Sequence, residues 1–172
     1  VDVAALGVDY LVVTGHKMYG PKGIGALWVR PGAQVAARSL GGAQERGSRG
    51  GTENVAGAIG LAAACVLAKD DLATPAQALH IRSLRDAFEL RALSTISGTH
   101  VNGAGAQRLP NTSSIIFSGV LGEGVALSLD LEGVCVSAGS ACHTGAAHPS
   151  DVLMAMGISA DDALAGIRVS FG

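Results

Sequence analysis

A lysine directly follows a short apolar run near the start of the chain, in the stretch Thr14-Gly15-His16-Lys17. A lysine amine is a nucleophile that can condense with an aldehyde cofactor to form a Schiff base. Thr14 and His16 flank it with hydrogen-bonding groups that can hold a phosphate. The cluster indicates a covalent cofactor site, although an exposed lysine in a glycine-rich turn also fits this local composition.

The glycines around this lysine also suggest a nucleotide-binding loop. Gly15 and Gly20 have the spacing of the two glycines in a P-loop. However, Pro21 stands where the P-loop lysine belongs, and Lys22 is followed by Gly23 rather than by serine or threonine. The sequence therefore excludes a P-loop. A dinucleotide fingerprint is excluded too, because Gly23-Ile24-Gly25 lacks the third glycine and precedes a predicted strand rather than a helix.

A cysteine far downstream, Cys142, lies among small residues in the stretch 137–145. A reactive thiol needs solvent access and thiolate character, and small flanking residues predict an accessible, mobile loop. A metal site with His143 and His148 is weakly supported because no CxxC pair is present. A Cys-His hydrolase lacks an orienting third group. An ordinary surface thiol remains an alternative.

Two further positions could bind anions. Arg168 lies in the final strand pattern, where a cationic side chain fits an ordinary surface role. Thr52 follows the glycine-rich stretch 41–51 and is predicted to cap a helix, whose N-terminus is a natural phosphate site.

The elements that must position these residues change character along the chain. In the first part, residues 9–15 predict a fully buried strand and residues 25–30 a second strand. An alanine-rich, largely buried helix is expected from Thr52 to about Lys69. A second helix is expected from Pro75 to about Leu93, with its arginines on the polar side.

Short elements follow from residue 113. The pattern predicts strands at 113–118, 134–137 and 167–170 and helices at 122–133 and 150–157. We place a domain boundary near residues 70–75. Since the chain opens within a periodic segment and stops in a strand pattern, we expect it to be the C-terminal portion of a longer protein.

Composition excludes several function classes. Of the 172 residues, 48% are hydrophobic, enough for a substantial core, and the net charge is −2 with scattered basic residues. We therefore expect no nucleic-acid partner. No apolar run reaches the roughly 20 residues of a membrane-spanning helix, and the first residues lack the basic leader of a signal peptide, so we expect no membrane partner.

The chain has three cysteines, an odd count without paired spacing. This favours reduced thiols and a cytoplasmic setting over a disulfide framework. Cys65, in an alanine-rich apolar run, is predicted to lie in the core. Cys135, between two valines, is predicted to be a buried strand residue.

Three segments together resemble one family. The segment TGHKMYGPKGIGALWVR, from Thr14, resembles the cofactor-lysine segment of the cysteine desulfurases, in the class V aminotransferase branch of fold-type I pyridoxal-phosphate enzymes. GGAQERGSRGGTEN, from Gly41, is similar to the same family. SAGSAC, ending at Cys142, resembles the sulfur-carrying loop of its group I members. Most relatives have serine in place of Thr14, which keeps the hydroxyl.

The resemblance implies a role for each matched residue. Lys17 would bind pyridoxal 5'-phosphate, with Thr14 and His16 on its phosphate. Thr52 would reach the phosphate of the neighbouring subunit's cofactor, which implies a homodimer. Cys142 would become a persulfide, Arg168 would bind the substrate carboxylate, and Asn111, in LPNTSSIIF, would lie in the site. No metal site is expected.

The resemblance also implies the fold and the reaction. We expect an α/β protein of the pyridoxal-phosphate transferase fold type I, with residues 1–72 ending the large cofactor-binding domain and residues 73–172 forming a truncated small α+β domain. L-cysteine would give L-alanine and a persulfide, which passes to an iron–sulfur scaffold or a sulfur-carrier protein. We expect this piece to be inactive alone, since other cofactor ligands would lie upstream of Val1.

Two alternatives stay open from the sequence. One is another class V enzyme, such as a selenocysteine lyase or an aminotransferase. The other is a non-catalytic sulfur-transfer module that no longer binds the cofactor. Cys142 distinguishes the first alternative from desulfuration, and a cofactor adduct on Lys17 distinguishes the second.

Overall fold

The computed structural model describes residues 1–139 and 148–172. Within them the chain divides into two compact units, Val1–Ala73 and Thr74–Gly172. None of the helices in these two described stretches combines the length and apolar character needed to cross a membrane.

The first unit is built on one pair of antiparallel strands, β1 (Tyr10–Thr14) and β2 (Gly25–Val29). A one-turn helix, α1 (Val3–Leu6), precedes them and is capped by the carboxylate of Asp2, which accepts from two backbone N–H groups. A long helix, α2 (Val55–Ala73), closes the unit. The register places Thr14 opposite Gly25, at the end of β1 where the lysine turn begins.

Burial in the first unit differs from the sequence prediction. β1 was expected to be fully buried, but the side chain of Val12 is 71% exposed, because the described residues of this unit supply only one neighbouring strand. The alanine-rich α2 was also expected to be largely buried. Only Gly57 and Ala64 are buried on it, because the other described residues of the chain cover few of its apolar side chains. Cys65 on this helix is exposed, so its predicted core position is wrong.

The start of α2 also differs from the prediction. The helix begins at Val55, and the Asn54 side-chain oxygen accepts a hydrogen bond from Gly57 N at 3.0 Å. Asn54 therefore caps the helix, and the predicted cap Thr52 lies two residues too early. Asparagine and threonine both favour this position, so residue type alone does not choose between them.

The second unit contains a four-stranded antiparallel sheet in the order β3-β4-β6-β5. Its strands are β3 (Thr99–Val101), β4 (Thr112–Phe117), β5 (Ser137–Ala138) and β6 (Gly166–Ser170). Ile115 of β4 and Ile167 of β6 are directly paired and, with Ala92, form the buried core of this unit. Because side chains alternate along a strand, Phe117 lies on the same face of β4 as Ile115 and packs against this core.

Four helices accompany this sheet among the residues that the structure describes. They are α3 (Pro75–Thr95), α4 (Gly122–Leu131), α5 (Asp151–Ala155) and α6 (Ala160–Leu164). Pro75 stands in the first turn of α3, as predicted, because proline fixes a helical φ where no N–H partner is needed. Gly133, with φ +77°, follows the end of α4, as expected for a terminating glycine.

Two predictions about the second unit are wrong. Arg85 was expected on the polar side of α3, but it is buried, because its long side chain reaches the carbonyl oxygen of Leu109 at 2.7 Å. Cys135 was expected in a buried strand, but it is exposed. The pairing of β5 with β6 involves only Ser137 and Ala138, so Cys135 lies before the sheet.

Candidate active site

The lysine turn is a tightly closed loop at the end of β1. It forms one turn of 3₁₀ helix, Gly15–Lys17. The backbone N–H of Gly15 donates to Ile24 O, and its carbonyl accepts from Gly20 N, both at 2.9 Å. A Cβ at Gly15 would lie 2.8 Å from the carbonyl oxygen of Pro21, so the turn requires glycine there. This backbone lock presents the two following side chains to solvent.

Thr14, His16 and Lys17 come together in this turn. Lys17 and His16 are exposed and Thr14 is half-buried. Thr14 and His16 line a groove of about 410 Å³ beside the strand pair. Lys17 takes part in none of the ion pairs found among the described residues, and the Thr14 hydroxyl makes no capping hydrogen bond to the turn.

This donor set fits a phosphorylated aldehyde. An exposed primary amine without a carboxylate partner can condense with the aldehyde. A hydroxyl and an imidazole within three residues can bind the phosphate. The residues predicted to hold pyridoxal phosphate are therefore chemically suited to that group.

Thr52 lies on an exposed loop whose backbone is held by the side chain of Arg49. Arg49 Nη1 donates to the carbonyl oxygens of Gly51 and Thr52, at 3.2 and 2.9 Å. These bonds fix the backbone just before α2. Since Asn54 provides the cap, the exposed hydroxyl of Thr52 is not needed to start the helix.

Arg168 lies on β6 in the second unit, between two serines. It is directly paired with Ser114 of β4 on one side and with Ser137 of β5 on the other. Arg168 Nη2 donates to Ser137 Oγ at 3.1 Å. Its side chain is exposed and lines a cavity of about 330 Å³, to which Thr112 also contributes. Over residues 1–139 and 148–172 it makes no ion pair, so its charge is available to an anion.

Asn111 joins the start of β4 to the end of β6. Its side-chain Oδ1 accepts from the Thr112 hydroxyl at 3.2 Å, and its carbonyl accepts from Phe171 N at 2.8 Å. Asn111 therefore holds together the two strands that carry Thr112 and Arg168. Its predicted place in the site stays a prediction.

The predicted sulfur-carrying residue, Cys142, lies outside the described residues, as does His143. The structure describes the residues on either side, Gly139 and His148. Gly139 has a left-handed φ of +57°, a conformation that favours glycine.

Sequence reasoning missed the serines that flank Arg168. Ser114 belongs to the predicted strand 113–118, and Ser137 to the predicted strand 134–137. Neither was connected to Arg168, because single-strand patterns carry no information on register.

Comparisons with known proteins agree with this architecture. Residues 1–172 match the family described as aminotransferase class-V. The chain is 44% identical to the cysteine desulfurase IscS of Dictyoglomus turgidum over 172 residues, which is 100% of this chain and 43% of that protein. A NifS-like protein from Rickettsia africae superposes with a TM-score of 0.84 at 29% identity, over 99% of this chain and 44% of that one.

A third solved structure, of SspA in complex with cysteine, superposes with a TM-score of 0.69 at 30% identity, over 99% of this chain and 46% of that chain. The chain thus spans less than half the length of the curated relatives that it matches. The predicted α/β fold, of the pyridoxal-phosphate transferase fold type I, is confirmed by these neighbours. The chain belongs to the class-V aminotransferase family.

Proposed function

We propose that the protein containing this chain is a cysteine desulfurase, which converts L-cysteine to L-alanine and retains the sulfur as a persulfide. The observation that carries the proposal is the 44% identity, along the whole chain, to a protein named cysteine desulfurase. The bound cysteine of the SspA neighbour supports the substrate class. In this proposal Val1–Ala73 belongs to the large cofactor-binding domain and Thr74–Gly172 to the small domain.

Lys17, Thr14 and His16 would hold pyridoxal 5'-phosphate. The amine of Lys17 would bond to the aldehyde carbon, and the Thr14 and His16 side chains would bind the phosphate. Pyridoxal phosphate, when bound, withdraws electrons from the α-carbon of an amino acid. The support is that an amine outside every ion pair of the described residues, an imidazole and a hydroxyl lie together in one short turn.

Arg168 would bind the carboxylate of L-cysteine. A guanidinium can donate two parallel hydrogen bonds to a carboxylate, which fixes the orientation of the substrate as well as its affinity. Support comes from its exposure and from its neutral hydrogen-bond partner Ser137. Lys17 Nζ would then move the proton at the α-carbon of the oriented substrate.

Cys142 would carry out the sulfur transfer. Its thiolate Sγ attacks the sulfur of the substrate, a sulfur–sulfur bond forms, and the carbon–sulfur bond of the substrate breaks. The electron pair of that bond stays with the substrate carbon and is protonated, which gives L-alanine. The persulfide on Cys142 would pass to an iron–sulfur scaffold or a sulfur-carrier protein.

The proposal includes a homodimer and a cytoplasmic location. The exposed Thr52 hydroxyl, which the helix does not need, would reach the cofactor phosphate of the neighbouring subunit. A cytoplasmic location fits the odd count of three cysteines, without paired spacing.

The experiment uses the full-length protein and L-cysteine. We expect alanine in amounts equal to the sulfide released in the presence of a reducing thiol. Cys142→Ala should abolish sulfide release. The matched control is Cys135→Ala, which removes an exposed thiol without an assigned role and should leave the rate unchanged. Sulfur transfer that survives Cys142→Ala would contradict the proposed mechanism.

A further inference from the structure

Arg168 sits at the centre of a row of three side chains across the sheet. Ser114 and Ser137 are its direct cross-strand partners, so all three side chains project from the same face. The Ser114 hydroxyl is already engaged, because Asn102 Nδ2 donates to it at 3.0 Å. Ser137 Oγ is the acceptor that Arg168 Nη2 uses, at 3.1 Å.

The neutrality of this partner distinguishes Arg168 from Arg85 and Arg108 of the same unit. Arg85 and Arg108 each contact a carboxylate, which neutralises their charge. A serine hydroxyl orients a guanidinium without cancelling its charge. A guanidinium carries five N–H donors, so one bond to Ser137 leaves enough of them for a bidentate contact with a carboxylate.

We propose that Ser137 is a positioning residue for substrate binding: its hydroxyl holds the guanidinium of Arg168 in the orientation that receives the carboxylate of the amino acid. This inference rests on the proposed function. Without the hydroxyl, the long exposed side chain of Arg168 samples several rotamers, and the carboxylate must select one of them. The cost falls on substrate binding and not on the steps at the α-carbon or the sulfur.

The test compares variants of the full-length holoenzyme. Ser137→Ala should raise the KM for L-cysteine about tenfold, the effect of losing one hydrogen bond to a charged group, and should change kcat less than about twofold. Calorimetric titration with L-alanine should show the same loss of affinity, with unchanged cofactor absorbance. Ser128→Ala, which removes an exposed serine hydroxyl of α4, serves as the control and should change neither quantity.

A second pair of variants separates the hydrogen bond from packing. Ser137→Thr keeps the hydroxyl and should bind L-alanine within about threefold of wild type. Ser137→Val has nearly the shape of the threonine variant but no hydroxyl, and should match Ser137→Ala. This pair decides the question if Ser137→Ala fails to fold. The inference is overturned if Thr and Val variants bind L-alanine equally, or if kcat falls while KM stays constant.

The failure of this inference differs from the failure of the proposed function. If wild type releases alanine and sulfide but the Ser137 variants keep its KM, only the positioning role is wrong. If wild type releases neither alanine nor sulfide, the desulfurase proposal is wrong. The positioning role is tested separately in that case, because equal binding of L-alanine to wild type and Ser137→Val would overturn it.

Discussion

Arg108 donates two hydrogen bonds to Glu89, at 2.7 and 2.9 Å, and thereby ties the segment before β4 to the middle of α3. The Glu89 side chain is only 10% exposed and that of Arg108 19%. The pair lies in the unit that carries Arg168. It therefore stabilises the scaffold of the proposed carboxylate site without belonging to that site.

Removal of Arg108 should strongly destabilise the second unit. Arg108→Ala leaves the buried carboxylate of Glu89 without its partner, and breaking a buried pair in this way costs about 3 kcal/mol. The measurement is the free energy of unfolding of the full-length protein by urea, followed by circular dichroism. Arg91→Ala, at an exposed position of α3, is the control and should change stability by less than about 0.5 kcal/mol. Equal effects of the two variants would contradict the structural role of the pair.

The same pair predicts how stability depends on pH. The hydrogen bonds from Arg108 hold the pKa of the Glu89 carboxyl below its usual value. Because the folded-state pKa is the lower one, the pair stabilises the fold above the unfolded pKa of about 4.3. That contribution is lost as the pH falls through the folded-state pKa.

We therefore expect the pH-dependent part of stability below about pH 4.3 to shrink in Glu89→Gln. The measurement is the unfolding midpoint of wild type and variant across the acid range. Glu132→Gln, at an exposed carboxylate, is the control and should follow the wild-type curve. A wild-type slope retained in Glu89→Gln would mean that other carboxylates dominate acid unfolding.

The predictability of this fold from its sequence varied with the kind of question. The start of α3 at Pro75 and the end of α4 near Gly133 were predictable, because backbone chemistry acts locally there. Burial was not. Whether Cys65 or Arg85 is buried depends on what packs against α2 and α3, and no residue pattern states this.

The candidate site shows the same division. The position of Lys17 after a strand was predictable from the apolar run and the glycines that follow it. The partner of Arg168 was not, because it depends on the register between β5 and β6. A register is set by pairing between segments about 30 residues apart, and a shift of one residue would place Ser137 on the other face.

Lys17 should be the residue that carries the cofactor. Borohydride reduction of the full-length protein, followed by peptide mapping, should give a pyridoxyl adduct on Lys17 and none in Lys17→Ala. Alanine release should fall by roughly 100-fold or more, the minimum expected for loss of a proton-transfer group. Lys22→Ala, an exposed lysine of the same loop, is the matched control and should keep both adduct and activity. An adduct on Lys22 instead would contradict the assignment.

Thr52 and Asn54 should separate cofactor binding from helix stability. Asn54→Ala removes the hydrogen bond to Gly57 N and should cost about 1 kcal/mol of unfolding free energy. Thr52→Ala should leave that free energy within about 0.5 kcal/mol, since Thr52 is exposed and caps nothing. It should instead weaken cofactor binding, measured by absorbance titration of the cofactor-free full-length protein, and Thr52→Ser should restore it. If Thr52→Ala were as destabilising as Asn54→Ala and bound the cofactor normally, Thr52 would have a structural role only.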